Sequence, residues 1–267
     1  MTLQKIAPLN FVKSLLRILT GKPHVPPSLK GNELLNIILR RRSVRSFADR
    51  EIPDYVLDAI LEAGRLAPST VNLQTWTLAV FTAKAWRGTF GSPIPFKGRH
   101  AVIVMGDTHR VRQVLDVFSY SPLVEYTLAV MNASLAAMNM NIAAEALGIS
   151  SVMLSETGRG GFLDAGYLKE KLGLPDGVFP LMTIVLGYAR GPYPPLPPKL
   201  PLDQICFQSK YKEANETIMQ GWLAQMVAGY KASHPLSSFD TQLRLYLSKI
   251  GKAEDDLKTM VLRDRAP

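Results

Sequence analysis

Apolar residues recur along the chain with two different periods, and the switches between them mark out its elements. In "NELLNIILRRR", Leu34, Leu35, Ile38 and Leu39 share one helical face. The basic residues crowd the last turn of that helix, where its dipole favours them. "IPDYVLDAILEAGRLAP" spaces Val56, Leu57, Ile60 and Leu61 for burial on a second helix, with Pro53 suited to its first turn and Pro68 stopping it. "TWTLAVFT" and "HAVIVMG" are rich in β-branched and aromatic residues and predict strands. "LVEYTLAVMNASLAAMNMNIAAEALG" is apolar on nearly every face and predicts a helix buried on most sides, central or interfacial. Beyond it, "ISSVML" and "LMTIVLGYA" predict strands flanking a helix in "DAGYLKEKLG". The alternation gives an α/β or α+β class.

The two ends of the chain differ from this middle. Near the start, Phe11, Leu15, Ile18 and Leu19 recur at helical spacing with Lys13 and Arg17 off the stripe. Such a helix lies on anionic lipid or packs on its own protein, and the second is favoured because the segment is short and ends at Gly21. Basic residues interrupt the stretch and no small-residue cleavage site follows, so no signal peptide is expected. "GPYPPLPPKLPL" holds six prolines in twelve residues, a stiff extended connection. "YKEANETIMQGWLAQMVAGYK" and "FDTQLRLYLSKIGKAEDDLKTMVL" then return to helical periodicity. The expected organisation is an N-terminal extension over 1–32, a core over 33–207 and a C-terminal helical extension over 208–267.

Composition narrows the chemistry. At 267 residues with 47% hydrophobic content the chain can bury a substantial core. A single cysteine, Cys206, excludes an intramolecular disulfide and points to a reducing cytoplasm. Glu125, Asn132, Asn139, Asn141 and Glu145 interrupt the longest apolar region, so no bilayer span and no membrane partner are expected. The formal charge of +9 fits nucleic acid, an anionic small molecule or solubility alone. No groove-reading motif accompanies the spread of basic residues, so nucleic acid is not expected. His24, His100, His109 and His234 are scattered, leaving no metal site, and GxSxG, Walker and HExxH motifs are absent from the sequence.

Two stretches carry candidate chemistry. Arg40, Arg41, Arg42 and Arg45 surround Ser43, a set of forked donors and a hydroxyl that suits a phosphate, or else a solvated basic face. "APSTVNLQTW" places Ser69, Thr70, Asn72 and Gln74 between helix and strand, where amides can pair with a heterocycle edge, or where Pro, Ser and Asn simply form a turn. "SETGRGGF" is a glycine-bearing loop open to a planar ligand, but it lacks the GxGxxG spacing of a Rossmann site.

In combination, "RRSVRSF", "APSTVNLQTW" and "KLGLPDGVFPLMTIVLGYA" resemble, in order and separation over residues 33 to 207, the FMN-dependent nitroreductase-like flavoproteins. The tail from Tyr211 to Leu262 is similar to the extension of the larger NADPH-flavin oxidoreductase branch. The resemblance implies an α+β fold with a central, mostly antiparallel sheet packed by helices, and an intertwined homodimer with two FMN at its interface. It implies that Arg41, Arg42, Ser43 and Arg45 hold the FMN phosphate and that Pro68, Ser69, Asn72 and Gln74 line the isoalloxazine and ribityl. Glu156, Thr157 and Gly158 would then meet the ring's polar edge. Lys199 falls where the family commonly has an arginine on the phosphate side, while Pro197 stands where the larger branch usually has a second basic residue. The implied reaction moves a hydride from NADH or NADPH through FMN to a nitroaromatic, quinone or similar flat acceptor in a ping-pong cycle, and a flavin needs no catalytic side chain or metal for it. Specialised family reactions, such as flavin fragmentation or reductive dehalogenation, and flavin sequestration with little turnover are the alternatives.

Overall fold

The computed structural model describes residues 8–23, 25–118, 121–155 and 164–262. In chain order its regular elements begin with helices α1 (Pro8–Thr20), α2 (Glu33–Arg40) and α3 (Asp54–Arg65) and strand β1 (Trp76–Thr82). Helix α4 (Ala83–Phe90), strand β2 (His100–Asp107), the single turn α5 (His109–Arg112) and the long helix α6 (Pro122–Ala146) follow. Strand β3 (Ser150–Leu154), helix α7 (Ala165–Leu172) and strand β4 (Val178–Gly187) complete the middle, and α8 (Leu202–Ile205), α9 (Glu216–Ser233) and α10 (Phe239–Val261) the tail. The chain divides into two compact units, one of residues 1–26 and 194–248, the other of residues 27–193 and 249–267.

The larger unit is built on an antiparallel sheet of order β1-β2-β4-β3. β2 is buried along its whole length and β4 along nearly all of it. That explains their unbroken apolar runs, because a strand covered on both faces has no solvent side to alternate with. Helices α3 and α6 cover one face, where Ile60, Ala133, Ala137 and Met140 pack on Val102, Val104, Ile184 and Leu186. Small residues on α6 allow this close approach: a Cβ added at Gly106 of β2 would stand 2.8 Å from that of Ala129. Trp86 of α4, Leu168 of α7, Val44 and Phe47 close the other face. The sequence did not mark α4, a short helix capped by Thr82, which accepts from the Ala85 N–H, and stopped by Gly91 in the left-handed conformation.

β4 begins at Val178, earlier than its pattern suggests, and carries Pro180 inside the sheet. A proline cannot donate to the ladder. The pairing with β2 shifts register at that place, Val104 facing Met182 and Met105 facing Pro180, so an irregularity of the bulge kind absorbs the missing donor.

Helix α6 is the mostly buried helix that its composition predicts, and each carboxylate and amide side chain in it has a partner. Glu125, fully buried, is bonded by Arg112 and Thr108. Asn139 donates to the Ala63 carbonyl at 3.1 Å, and Asn141 accepts from Ser151. One stripe stays uncovered. Val124, Met131 and Leu135 are exposed, and Leu128, Met138 and Ile142 between and beyond them are half-buried. The steps between them alternate four and three residues, the spacing of a helix–helix seam. No described helix is long and apolar enough to cross a membrane.

In the smaller unit α1 packs on α9. Ile18 and Ser14 are buried, and Ile18 fits against Gly229, where an added Cβ would lie 3.1 Å from its Cδ1. Asn215 caps α9 by accepting from the Ile218 N–H at 3.1 Å. The proline-rich stretch is held at Pro198, whose carbonyl accepts from Trp222 Nε1 at 3.4 Å.

Candidate functional site

The arginine segment leaves α2 in extended conformation and runs along the β3 edge of the sheet. The Val44 N–H donates to the Ser151 carbonyl at 2.9 Å, and Ser43 and Ser151 form a parallel bridge. Farther on, the Ala48 N–H donates to the Tyr188 carbonyl at 2.8 Å and the Arg190 N–H to the Ser46 carbonyl at 3.0 Å. Val44 and Phe47 turn into the core while Arg45 and Ser46 face out. Phe47 seats tightly, since a Cβ at Gly187 would lie 2.8 Å from its ring.

The arginines are used unequally. Arg40 pairs at 3.2 Å with Glu145, a buried carboxylate at the end of α6 that also accepts from the Tyr193 hydroxyl at 3.1 Å. Burial pushes the Tyr193 pKa up; the Ser150 hydrogen bond opposes this and the Glu145 carboxylate adds to it. Arg42 Nη1 donates to the Leu39 and Arg41 carbonyls at 2.7 and 2.8 Å, tying off the end of α2. Arg41 Nε is buried with no partner. Arg45 lies over the Phe96 ring, 6.0 Å from its centroid.

The turn after α3 is held differently. Val71, Asn72 and Gln74 all adopt positive φ, at 50°, 56° and 49°. That region is uncommon for residues with a Cβ and an outlier for a β-branched one. Two side chains enforce it. Ser69 Oγ accepts from the Gln74 N–H at 3.0 Å. Asn132, buried on α6, accepts from the Thr70 N–H at 3.2 Å and donates to Thr75 Oγ1 at 2.8 Å. The Asn72 and Gln74 amides are exposed and make no hydrogen bond among the described residues. Pro68 is exposed beside half-buried Ser69.

The two stretches are not adjacent within one chain. Ser43 bridges Ser151, which faces Leu186, then His100, then Thr82. The turn joins β1 at its opposite end, Trp76, about 20 Å along the strand. Across the sheet they are four strand spacings apart, about 19 Å. They therefore occupy diagonal corners. Lys199 is exposed in the smaller unit. Glu156, Thr157 and Gly158 lie outside the described residues.

Sequence reasoning missed the residues that position both stretches, Glu145 and Asn141 for the segment and Asn132 for the turn. Their signal was present, because polar side chains in an otherwise apolar helix must find partners. Among the described residues no group of three or more His, Cys, Asp or Glu is placed to hold a metal.

The model of the Nitroreductase family matches residues 38–188, a span that includes the arginine segment, the turn and all four strands. A protein of Archaeoglobus fulgidus whose name includes NAD(P)H nitroreductase is 32% identical over 164 residues, 59% of this chain and 86% of its own. The Bacillus subtilis protein named FMN reductase [NAD(P)H] is 26% identical over 229 residues, 82% of this chain and 84% of its own. The solved structure of NfrA2 from B. megaterium superposes with a TM-score of 0.71 at 20% identity, covering 86% of this chain and 98% of that one, a likeness of fold. The chain belongs to the Nitroreductase family.

Proposed function

We propose that this protein is an NAD(P)H-dependent flavin oxidoreductase that binds FMN and reduces a flat acceptor such as a nitroaromatic or a quinone. The observation that carries the reading is the buried, unpartnered Nε of Arg41, set beside Ser43 on an extended segment whose backbone is tied to the sheet edge at Val44. A buried donor without an acceptor is costly, and a phosphate oxygen supplies one. Exposed Arg45 adds a second guanidinium. At the other corner, the unengaged Asn72 and Gln74 amides suit the donor and acceptor edge of a heterocycle. These groups fit FMN in kind.

Diagonal placement favours an assembly of two chains, in which the phosphate end meets Arg41, Ser43 and Arg45 of one copy and the ring meets Pro68, Ser69, Asn72 and Gln74 of the other. The uncovered α6 stripe through Val124, Met131 and Leu135 gives the second copy an apolar seam. Bound there, FMN supplies the hydride and electron transfer from NADH or NADPH to the acceptor. The chain's own residues bind and orient: Asn132 fixes the turn, and Glu145 and Ser151 fix the segment. The exposed free thiol of Cys206 fits the reducing cytoplasm, where the pyridine nucleotides are at hand.

The test is an anaerobic titration of the purified protein. It should copurify with FMN, lose the flavin's visible absorbance on adding NADH or NADPH, and regain it with a nitroaromatic or quinone. Protein that holds FMN but is not bleached would be a flavin store. Protein that does not bind FMN would overturn the reading. The role that the resemblance gives Lys199 is read by the same titration on Lys199→Ala.

A further inference from the structure

In the larger unit, at the end of the sheet where β1 stops and β2 starts, a cleft of about 400 Å³ opens among Arg87, Lys97, Arg99, Arg190 and Asp49. Arg87 comes from the last turn of α4, Lys97 and Arg99 from the connection between α4 and β2, and Arg190 from just beyond β4. Arg99 is neutralised by Asp49 and Glu51, although its Nε is buried without a partner. Arg87, Lys97 and Arg190 have no carboxylate or hydrogen-bond partner for their side chains among the described residues. Three separate parts of the chain thus bring exposed, unpaired cations to one concavity, an arrangement that draws an anion.

The backbone is also held against its preference there. Phe96 and Lys97 adopt φ of 57° and 56°, consecutive left-handed residues without a glycine between them. Gly98 presses the same turn onto β4, since a Cβ there would lie 2.2 Å from Val185 Cγ1. This contact fixes where Lys97 emerges. Two guanidiniums and an ammonium match the oxygens of a phosphate, with forked donors from Arg87 and Arg190. Phe47 and Ile94 supply an apolar wall for an organic portion, and the volume is in the range of small-molecule sites.

We propose that this cleft is a second anion site, adjoining the far end of the arginine segment but lined by none of its arginines, that takes a phosphorylated small molecule of about mononucleotide size. A hollow with converging cations suits such a ligand better than a nucleic-acid backbone, which needs charge spread along a track. The proposal does not depend on the flavin reading.

Calorimetry on the purified protein, run with and without added FMN, tests it, using pyrophosphate, AMP and, as the uncharged control, adenosine. Pyrophosphate and AMP should bind and adenosine should not. Arg87→Ala, Lys97→Ala and Arg190→Ala should each weaken binding about tenfold or more, and Arg41→Ala should leave it unchanged. Without ligand, each cleft variant should melt at or above the parent's temperature, because an exposed, unpaired cation does not hold the fold. No heat with pyrophosphate would overturn the proposal, as would equal losses in Arg41→Ala and Arg87→Ala, which would put the ion in the flavin clamp. A cleft variant that melts below the parent would show that its cation serves the fold, and binding only to duplex DNA or anionic vesicles would show a macromolecular surface; either would also overturn it.

Discussion

The arginine segment is sewn to a sheet edge by its backbone, whereas the turn at the opposite corner hangs from side chains, chiefly Asn132 and Ser69. In the segment the main chain keeps negative φ throughout and is anchored at Val44, Ser46 and Ala48, which leaves arginine side chains over for a ligand. In the turn the main chain is strained at Val71, Asn72 and Gln74, and what it gains is a pair of outward amides. One half of the proposed flavin site is thus robust in backbone and rich in charge. The other is preorganised against its own preference and depends on one buried amide and one hydroxyl.

The strongest way to break this pairing is to separate the copies that would bring the corners together. Leu135, 44% exposed in the middle of the α6 stripe, is the place. Leu135→Glu should cost the dimer on the order of 3 kcal/mol through an unpaired carboxylate in an apolar seam. It should hardly alter the fold of the single chain. Sedimentation and flavin content should fall together. A monomer with undiminished FMN affinity would show that one chain builds the whole site.

Next in size is the segment. Arg41→Ala should weaken FMN binding by about 1.5–3 kcal/mol, the range for hydrogen bonds to charged groups. Riboflavin, which lacks the phosphate, should bind parent and variant alike in a fluorescence-quenching titration. Arg42→Ala is a mixed case, because Arg42 also ties off α2 at the Leu39 carbonyl; it should lose stability as well as affinity. Equal FMN affinity in Arg41→Ala and the parent would remove the phosphate assignment.

Asn132→Ala tests the turn. It strips the acceptor from the Thr70 N–H and the donor from Thr75 Oγ1, which is fully buried. The loss should be about 1–3 kcal/mol in urea unfolding, accompanied by a changed flavin spectrum. A stability loss with an unchanged spectrum would mean that the turn is held elsewhere and does not meet the ring.

Much of this architecture was legible in the sequence. Strands β2 and β4 and the long helix α6 were visible because burial on most sides leaves an apolar run, and the half-buried β1 because of its β-branched and aromatic residues. The arginine cluster was visible as charge. What it lacked was direction: nothing in "RRRSVRS" says that Arg40 turns to Glu145, Arg42 to carbonyls behind it and Arg45 to Phe96, since those partners are distant in sequence or belong to the backbone. α4 escaped notice because "AKAWRGTF" buries only Trp86 and so shows no apolar stripe. Pro180 hid the start of β4, because a proline argues against a central strand unless a register shift absorbs it. The α6 polar residues were read only as evidence against a membrane span, although each is a tether. Ala137, on an apparently all-round apolar helix, is fully buried, and the uncovered stripe is a different set of residues.

The smallest effect is the most discriminating for the turn. Val71 has φ 50° and ψ 27° and is 87% exposed, so it contributes little burial and stands where a β-branched residue is least at ease. A left-handed conformation costs an L-residue about 1–2 kcal/mol, and glycine forfeits about 0.5–1 kcal/mol through the freedom of its unfolded chain. Val71→Gly should therefore stabilise the protein by roughly 0.5–1 kcal/mol, read as a higher urea midpoint at unchanged slope. Asn72→Gly should gain less, because asparagine tolerates this region better than valine. The two effects of Val71→Gly should run in opposite directions. A turn freed of strain is also freed to move, so the Asn72 and Gln74 amides lose their fixed aim and FMN should bind more weakly while the fold becomes more stable. Higher stability with unchanged FMN affinity would mean that the strain is incidental and the turn no more than a connection. Lower stability would mean that Val71 is held by a contact worth more than its backbone costs. Only the opposed pair of changes identifies the turn as strained for the sake of a ligand, and it does so without touching a residue proposed to contact one.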